Sequence, residues 1–159
     1  MIQRVQSLFL LGVVACLGAS LYFPIWQKLD NDQTTGAVLE ALHTEVYHLD
    51  QAVIREHFPT AILGVLLIAG MVVAVFEIFQ YRNRLTQMKL GAVNSLVIAG
   101  FLGLSVYFTF GMEKMVTVTG EGSYEFGMYL PAAALICNLI ANRFIRKDEA
   151  LVRSVDRIR

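Results

Sequence analysis

Four long apolar runs, separated by polar links, organise this chain. They lie at about Leu8–Trp26, Thr60–Gln80, Ala92–Phe110 and Phe126–Ile145. A helix needs roughly 17–25 apolar residues to cross a bilayer, and each run falls in that window. Backbone polar groups in lipid must be satisfied within their own segment, so the runs are expected to be helical. The pattern predicts an all-α membrane protein: one domain over residues 1–159, built as a four-transmembrane-helix bundle. A loop from Gln27 to Phe58 and a tail from Arg146 to Arg159 lie outside the spans.

The two links on the first and third connections differ in pattern. In the first, Leu39, Leu42, Val46, Leu49 and Val53 recur every three or four residues, the spacing of one apolar helix face. With Thr35 and Gly36 as start signals and Pro59 marking the entry to the second run, an amphipathic helix is expected to lie on the outer face or across the bundle. In the second, Val116–Thr119, Gly120-Glu121-Gly122 and Ser123–Phe126 read as a short β-hairpin. A two-stranded hairpin is marginal alone and would have to pack on the first loop. Together they make a small extracytoplasmic cap.

Composition agrees with the membrane reading. The chain is 56% hydrophobic, against about 45–50% for soluble domains. Its formal net charge is zero, but the charges are segregated. Arg4, then Arg82, Arg84 and Lys89, then Arg143, Arg146, Lys147, Arg153, Arg157 and Arg159 occupy one set of segments. The other two loops hold Lys28, Arg55 and Lys114 among Asp30, Asp32, Glu40, Glu45, Asp50, Glu56, Glu113, Glu121 and Glu125. Lys and Arg stay on the cytoplasmic side, which predicts both termini and the middle link inside a bacterial inner membrane. Tyr22, Phe23, Trp26, Phe58, Tyr107, Phe108, Phe110 and Tyr129 fall at the outer ends of the runs. Phe76, Phe79, Tyr81 and Phe144 fall at the inner ends, as interfacial belts or helix-packing aromatics. Val13-Val14-Ala15-Cys16 resembles a lipoprotein cleavage box, but the apolar run continues to Ile25, beyond a signal segment of roughly 7–15 residues, so an uncleaved anchor is expected.

Candidate chemistry is sparse. There is no phosphate-binding glycine loop, nucleophile elbow or zinc-protease motif, and no enzyme activity or cofactor is expected. Cys16 and Cys137 lack a C-x-x-C partner or nearby His. His43, His48 and His57 share the first loop with Glu40, Glu45 and Asp50, as a solvated polar face or an outward metal sensor; His43 and His48 are five apart, which does not suit a helical ligand pair. Glu77 is the one acid inside a run, near its inner end, where an ion pair with a basic residue or an ion relay are the two readings. Asn94 and Asn138 read as interhelical hydrogen-bond glue. Gly70 with Ala74, and Ala99 with Gly103, are spaced for close helix approach. Pro131 should free the carbonyl of Gly127. The tail places Leu151, Val155 and Ile158 on one face and pairs Glu149 with Arg153, which suits anionic lipid, a protein partner or a simple topological anchor.

Several segments carry a resemblance: Met1–Ser7, Tyr81–Leu90, Tyr129-Leu130-Pro131 and, most specifically, Arg146–Arg159. They resemble a four-span family, domain of unknown function 4293, found mainly in Bacteroidota. The resemblance covers all four runs and the tail but not the loop Gln27–Phe58. It implies topology and inner-membrane location, and no activity. The leading expectation is therefore a non-catalytic accessory or scaffold subunit, or a homo-oligomer, that meets a membrane-protein partner through Arg82, Arg84, Gln87, Lys89, Arg153, Asp156 and Arg157. The alternatives are a small carrier of a lipid-like ligand lined by Glu77, Asn94 and Asn138, and the outer-face sensor.

Overall fold

The computed structural model describes residues 3–29, 35–48, 51–56, 60–81, 83–115 and 121–156; the side chains of 3–4, 47–48, 51–56, 115, 153 and 155–156 lie outside that description. In chain order the elements are α1 (Gln3–Ser20), β1 (Trp26–Leu29), β2 (Gly36–Leu39), β3 (Thr44–His48), β4 (Gln51–Glu56), α2 (Ala61–Phe79), α3 (Arg84–Met115), β5 (Ser123–Tyr124) and α4 (Phe126–Asp156). Among the described residues, three helical stretches are long and apolar enough to cross a membrane: Ala61–Phe79, Arg84–Lys114 and Phe126–Val152. α1 adds a shorter apolar stretch, Val5–Ser20.

The four helices pack as a ring, α1 on α2, α2 on α3, α3 on α4 and α4 on α1. Each turns one stripe inward at three- and four-residue spacing: Gln6, Leu10, Val13, Leu17 and Ser20 on α1; Leu63, Leu67, Gly70, Ala74 and Glu77 on α2; Gln87, Asn94, Ile98, Phe101, Ser105 and Thr109 on α3; Ala134, Asn138, Ala141, Asn142 and Ile145 on α4. The outward faces carry Leu8, Leu11, Val65, Phe76, Leu96 and Ile136. The interior is therefore largely apolar with polar residues interspersed, and the outward faces are apolar as well, unlike the polar outer face of a helix in a water-soluble bundle. Gly70 brings α2 close to α1 and α3: a Cβ there would stand 3.0 Å from Leu17 Cδ1 and 3.3 Å from Asn94 Oδ1. Gly103 has nothing within 4 Å and does not mediate helix approach; it lines an apolar groove of about 620 Å³ with Leu102, Val106, Met128 and Ala132.

The first loop is not an amphipathic helix. Its described residues form four strands of a five-stranded antiparallel sheet, in the order β4-β3-β2-β1-β5. The three-and-four spacing arose from a turn that interrupts a period-two pattern. Leu39 pairs with Thr44 across the β2–β3 hairpin, closed by Glu40 N–H donating to the carbonyl of His43 at 3.0 Å, so Leu39 and Val46 sit on separate strands and Leu42 at the turn. Trp26 and Lys28 on β1, and Ala37 and Leu39 on β2, are buried in alternation, as a sheet with one covered face requires. Trp26 is therefore a core residue and not part of an interfacial belt; its ring fills the space beside Gly122. Ser123 and Tyr124 do form a strand, but one that pairs with β1: Trp26 opposite Tyr124, Gln27 opposite Ser123. Val116–Gly120 lies outside the described residues.

The sheet and bundle share one apolar core, in which Ile25, Trp26, Ala37, Leu39 and Ala41 join Val13, Leu17, Leu63, Leu67, Ile98, Phe101 and Ala134. Leu42 packs on Gly64, and Thr44 Oγ1 donates to Thr60 Oγ1 at 3.2 Å. The opposite, link end of the bundle carries the α2–α3 connection, where Asn83 Oδ1 accepts from Thr86 N–H at 3.2 Å, an N-cap to α3.

Candidate functional site

The buried polar side chains of the bundle separate into two groups. Toward the sheet end, Ser105 and Thr109 donate to the carbonyls of Phe101 and Ser105, and Ser20 donates to the carbonyl of Gly127. These groups are satisfied. Toward the link end the four helices contribute Gln6, Glu77, Gln87, Asn94, Asn138 and Asn142, each at most 4% exposed.

These residues form a seam. Gln87 Nε2 donates to the backbone carbonyl of Glu77 at 3.2 Å, joining α3 to α2. Asn138 Nδ2 donates to the carbonyl of Gly91 at 2.8 Å and to Ser95 Oγ at 2.9 Å, joining α4 to α3. The Asn142 amide occupies the space a side chain at Gly91 would fill. Gln87 and Asn94 share the inward face of α3 two turns apart, about 10 Å along the axis. Beyond Asn94 the interior is closed by Leu17, Leu67, Ile98 and Phe101, all buried.

The seam is short of partners. Among the described residues, both carboxylate oxygens of Glu77, both polar atoms of the Asn94 amide, Oδ1 of Asn138, Oδ1 of Asn142 and Nε2 of Gln6 find no hydrogen-bond partner. Glu77 is fully buried, so the sequence-based ion pair with a basic residue finds no counterpart among the described residues. Asn138 is helix glue, as its sequence context suggested, through one half of its amide. Asn94 is not: it crosses to no hydrogen-bonding partner among the described residues.

The residues expected to meet a partner fall differently. Arg84 Nη1 stands 3.0 Å from Asp148 Oδ2, off hydrogen-bond geometry, so the contact is an ion pair between the root of α3 and the far part of α4. Gln87 is turned into the seam, while Lys89 is exposed. Arg153 and Asp156 belong to α4, their side chains undescribed; Arg82 and Arg157 lie outside the described residues. Among the histidines, His43 Nε2 is 3.2 Å from Glu40 Oε2 and 3.4 Å from Glu45 Oε1. The His48 side chain and His57 lie outside the description. Gln6 and Asn142 were missed by sequence reasoning; the signal was their place on the same three-and-four stripes as the buried apolar residues.

A predominantly helical chain with three membrane-length helices, a polar seam and a small sheet defines a helical membrane-type protein. More specifically, the chain belongs to the family described as Domain of unknown function (DUF4293), whose family model matches residues 2–158. No curated protein matches it.

Proposed function

We propose that this is a four-span protein of a bacterial inner membrane, with both termini and the α2–α3 link in the cytoplasm, acting as a non-catalytic accessory or scaffold subunit. α1, at 18 residues, is about 27 Å long and close to the roughly 30 Å of a hydrocarbon core, which supports it as the fourth span. The segregation of basic residues to the link end supports the orientation.

The observation that carries the scaffold reading is the continuity of α4. Its 31 residues extend about 46 Å, well beyond a hydrocarbon core. Past Ile145 it presents exposed Arg146 and Lys147 and then exposed Leu151 and Val152. The Arg84–Asp148 pair braces this projection at its base. A braced helix with apolar residues beyond the apolar span suits docking of an amphipathic partner surface. Lys89, Arg153, Asp156 and Arg157 are the contact residues this reading favours. Mild-detergent purification tests it, with an Arg153→Ala/Arg157→Ala variant alongside. The expected outcome is a stoichiometric partner protein, or a second copy, that the variant loses. A chain that runs as a lone monomer in both samples sinks the reading.

A further inference from the structure

The five-stranded sheet has two unequal edges. At one, β5 is two residues long and only Glu125 separates it from α4. So short an edge offers little to another chain. At the other, β4 spans the six residues Gln51–Glu56 without proline or glycine, and among the described residues its only neighbour is β3. The ladder fixes where its backbone groups point. Glu40 N–H donates to the His43 carbonyl, so Leu39 and Thr44 form a non-hydrogen-bonded pair and the Thr44 backbone points to β4. Thr44 stands opposite Glu56, and Val46 opposite Ile54, so Glu56 and Ile54 bond back to β3. Strand alternation then sends the N–H and C=O of Arg55, and of Val53 two places back, off the edge. The irregularity between Val46 and His48 ends the regular ladder beyond that point.

We infer that β4 pairs antiparallel with β4 of a second copy, with Ile54 on the two-fold axis. In an antiparallel bonded pair both residues point at each other, so an outward residue must meet an outward residue. Val53 set against Val53 would leave Arg55 facing Gln51, which pairs with His48 on β3. Arg55 set against Arg55 would put like charges directly opposite, which is destabilising. Val53 set against Arg55 uses every outward group and meets neither obstacle. The edge is thus complementary to itself, as an isologous interface requires, and the short β5 edge keeps the pairing from propagating. A two-fold axis normal to the sheet also keeps both covered faces on one side. Two copies in one membrane need that, because each sheet turns its covered face to its own bundle. This last point rests on the four-span reading; the surface itself is separate from the α4 projection.

The test uses the full-length chain in membranes, with the free cysteines Cys16 and Cys137 replaced by alanine and one cysteine introduced. Across a non-hydrogen-bonded antiparallel pair the Cα atoms stand about 4.5 Å apart, within reach of a disulfide. Ile54→Cys should give a disulfide-linked dimer under mild oxidation, and Ser123→Cys, on the other edge, should not. In the Ile54→Cys background, Val53→Arg places a second cation opposite Arg55 and should slow crosslinking by about two- to thirtyfold through the symmetric pair of contacts. Val53→Glu should speed it. Arg55→Pro removes an outward N–H but no bond to β3. It should abolish the crosslink while the emission of Trp26, in the core shared by sheet and bundle, stays unchanged. An uncrosslinked Ile54→Cys variant overturns the inference, as does equal crosslinking at Ser123→Cys. So does an adduct with a different protein in place of the second copy. A crosslink that persists with Arg153→Ala/Arg157→Ala supports pairing at β4. A stoichiometric partner lost in that variant, with Ile54→Cys uncrosslinked, upholds the scaffold reading and removes this one.

Discussion

The hydroxyl of Ser20, at the end of α1, donates a 2.7 Å hydrogen bond to the carbonyl of Gly127 in the first turn of α4. That carbonyl would accept from the residue four places on, but Pro131 has no N–H to give. One residue's missing donor is thus supplied by a helix more than a hundred positions away in sequence, where the bundle meets the sheet.

Ser20→Ala should therefore leave a buried carbonyl unpaired, at a cost of about 1–3 kcal/mol. Pro131→Ala restores the intrahelical donor, so the Ser20→Ala penalty should shrink in that background. A double-mutant cycle read by denaturant unfolding in detergent checks the coupling. Equal Ser20→Ala penalties in both backgrounds would break the link drawn between the two residues.

Gly91 and Asn142 make a second coupled pair. A methyl at 91 collides with the Asn142 amide, so Gly91→Ala should destabilise by about 1–3 kcal/mol through overpacking. Asn142→Ala opens the space, and the double variant should recover much of the loss. If Gly91→Ala alone is neutral, α3 and α4 are not in the tight contact described.

The Arg84–Asp148 pair is partly exposed and therefore worth only about 0.2–1 kcal/mol to global stability. Its effect should be local. Arg84→Asp is expected to speed amide exchange in α4 beyond residue 148 while leaving exchange around Ala134 unchanged, and Arg84→Asp/Asp148→Arg should slow it again. Uniform acceleration along the whole helix would show that the pair does not brace the projection.

Gly122→Ala drives a methyl into the Trp26 ring. Trp26 is the chain's single tryptophan, so its emission reports directly on that contact. A red shift with loss of intensity is expected as the ring leaves its buried site, with helix content by circular dichroism unchanged. A blue or unshifted spectrum would contradict the close packing.

The helices were legible because their signal is long: runs of about twenty apolar residues leave few alternatives. Their inward faces were half legible. Asn138 could be read as glue, yet whether Glu77 reaches a counter-charge depends on which way α2 is rotated, and only the ring packing decides that. The outer loop was misread for a local reason. Leu39, Leu42 and Val46 mimic a helical stripe because a tight turn at Ala41-Leu42 resets the alternation between β2 and β3. The pairing of Tyr124 with Trp26 is a non-local event with no periodicity to announce it.

That pairing also orders events during synthesis. Gln27 and Glu125, hydrogen-bonded at 2.7 Å beside the β1–β5 register, are 98 residues apart. While the ribosome is still making α3, β1 has β2 on one side and no neighbour on the other. An uncapped strand edge is a template for wrong pairing, and here it stays open for the translation time of most of the protein. The two residues of β5 thus act as a late latch, and a nascent chain stalled before them presents the folding machinery with an unfinished sheet.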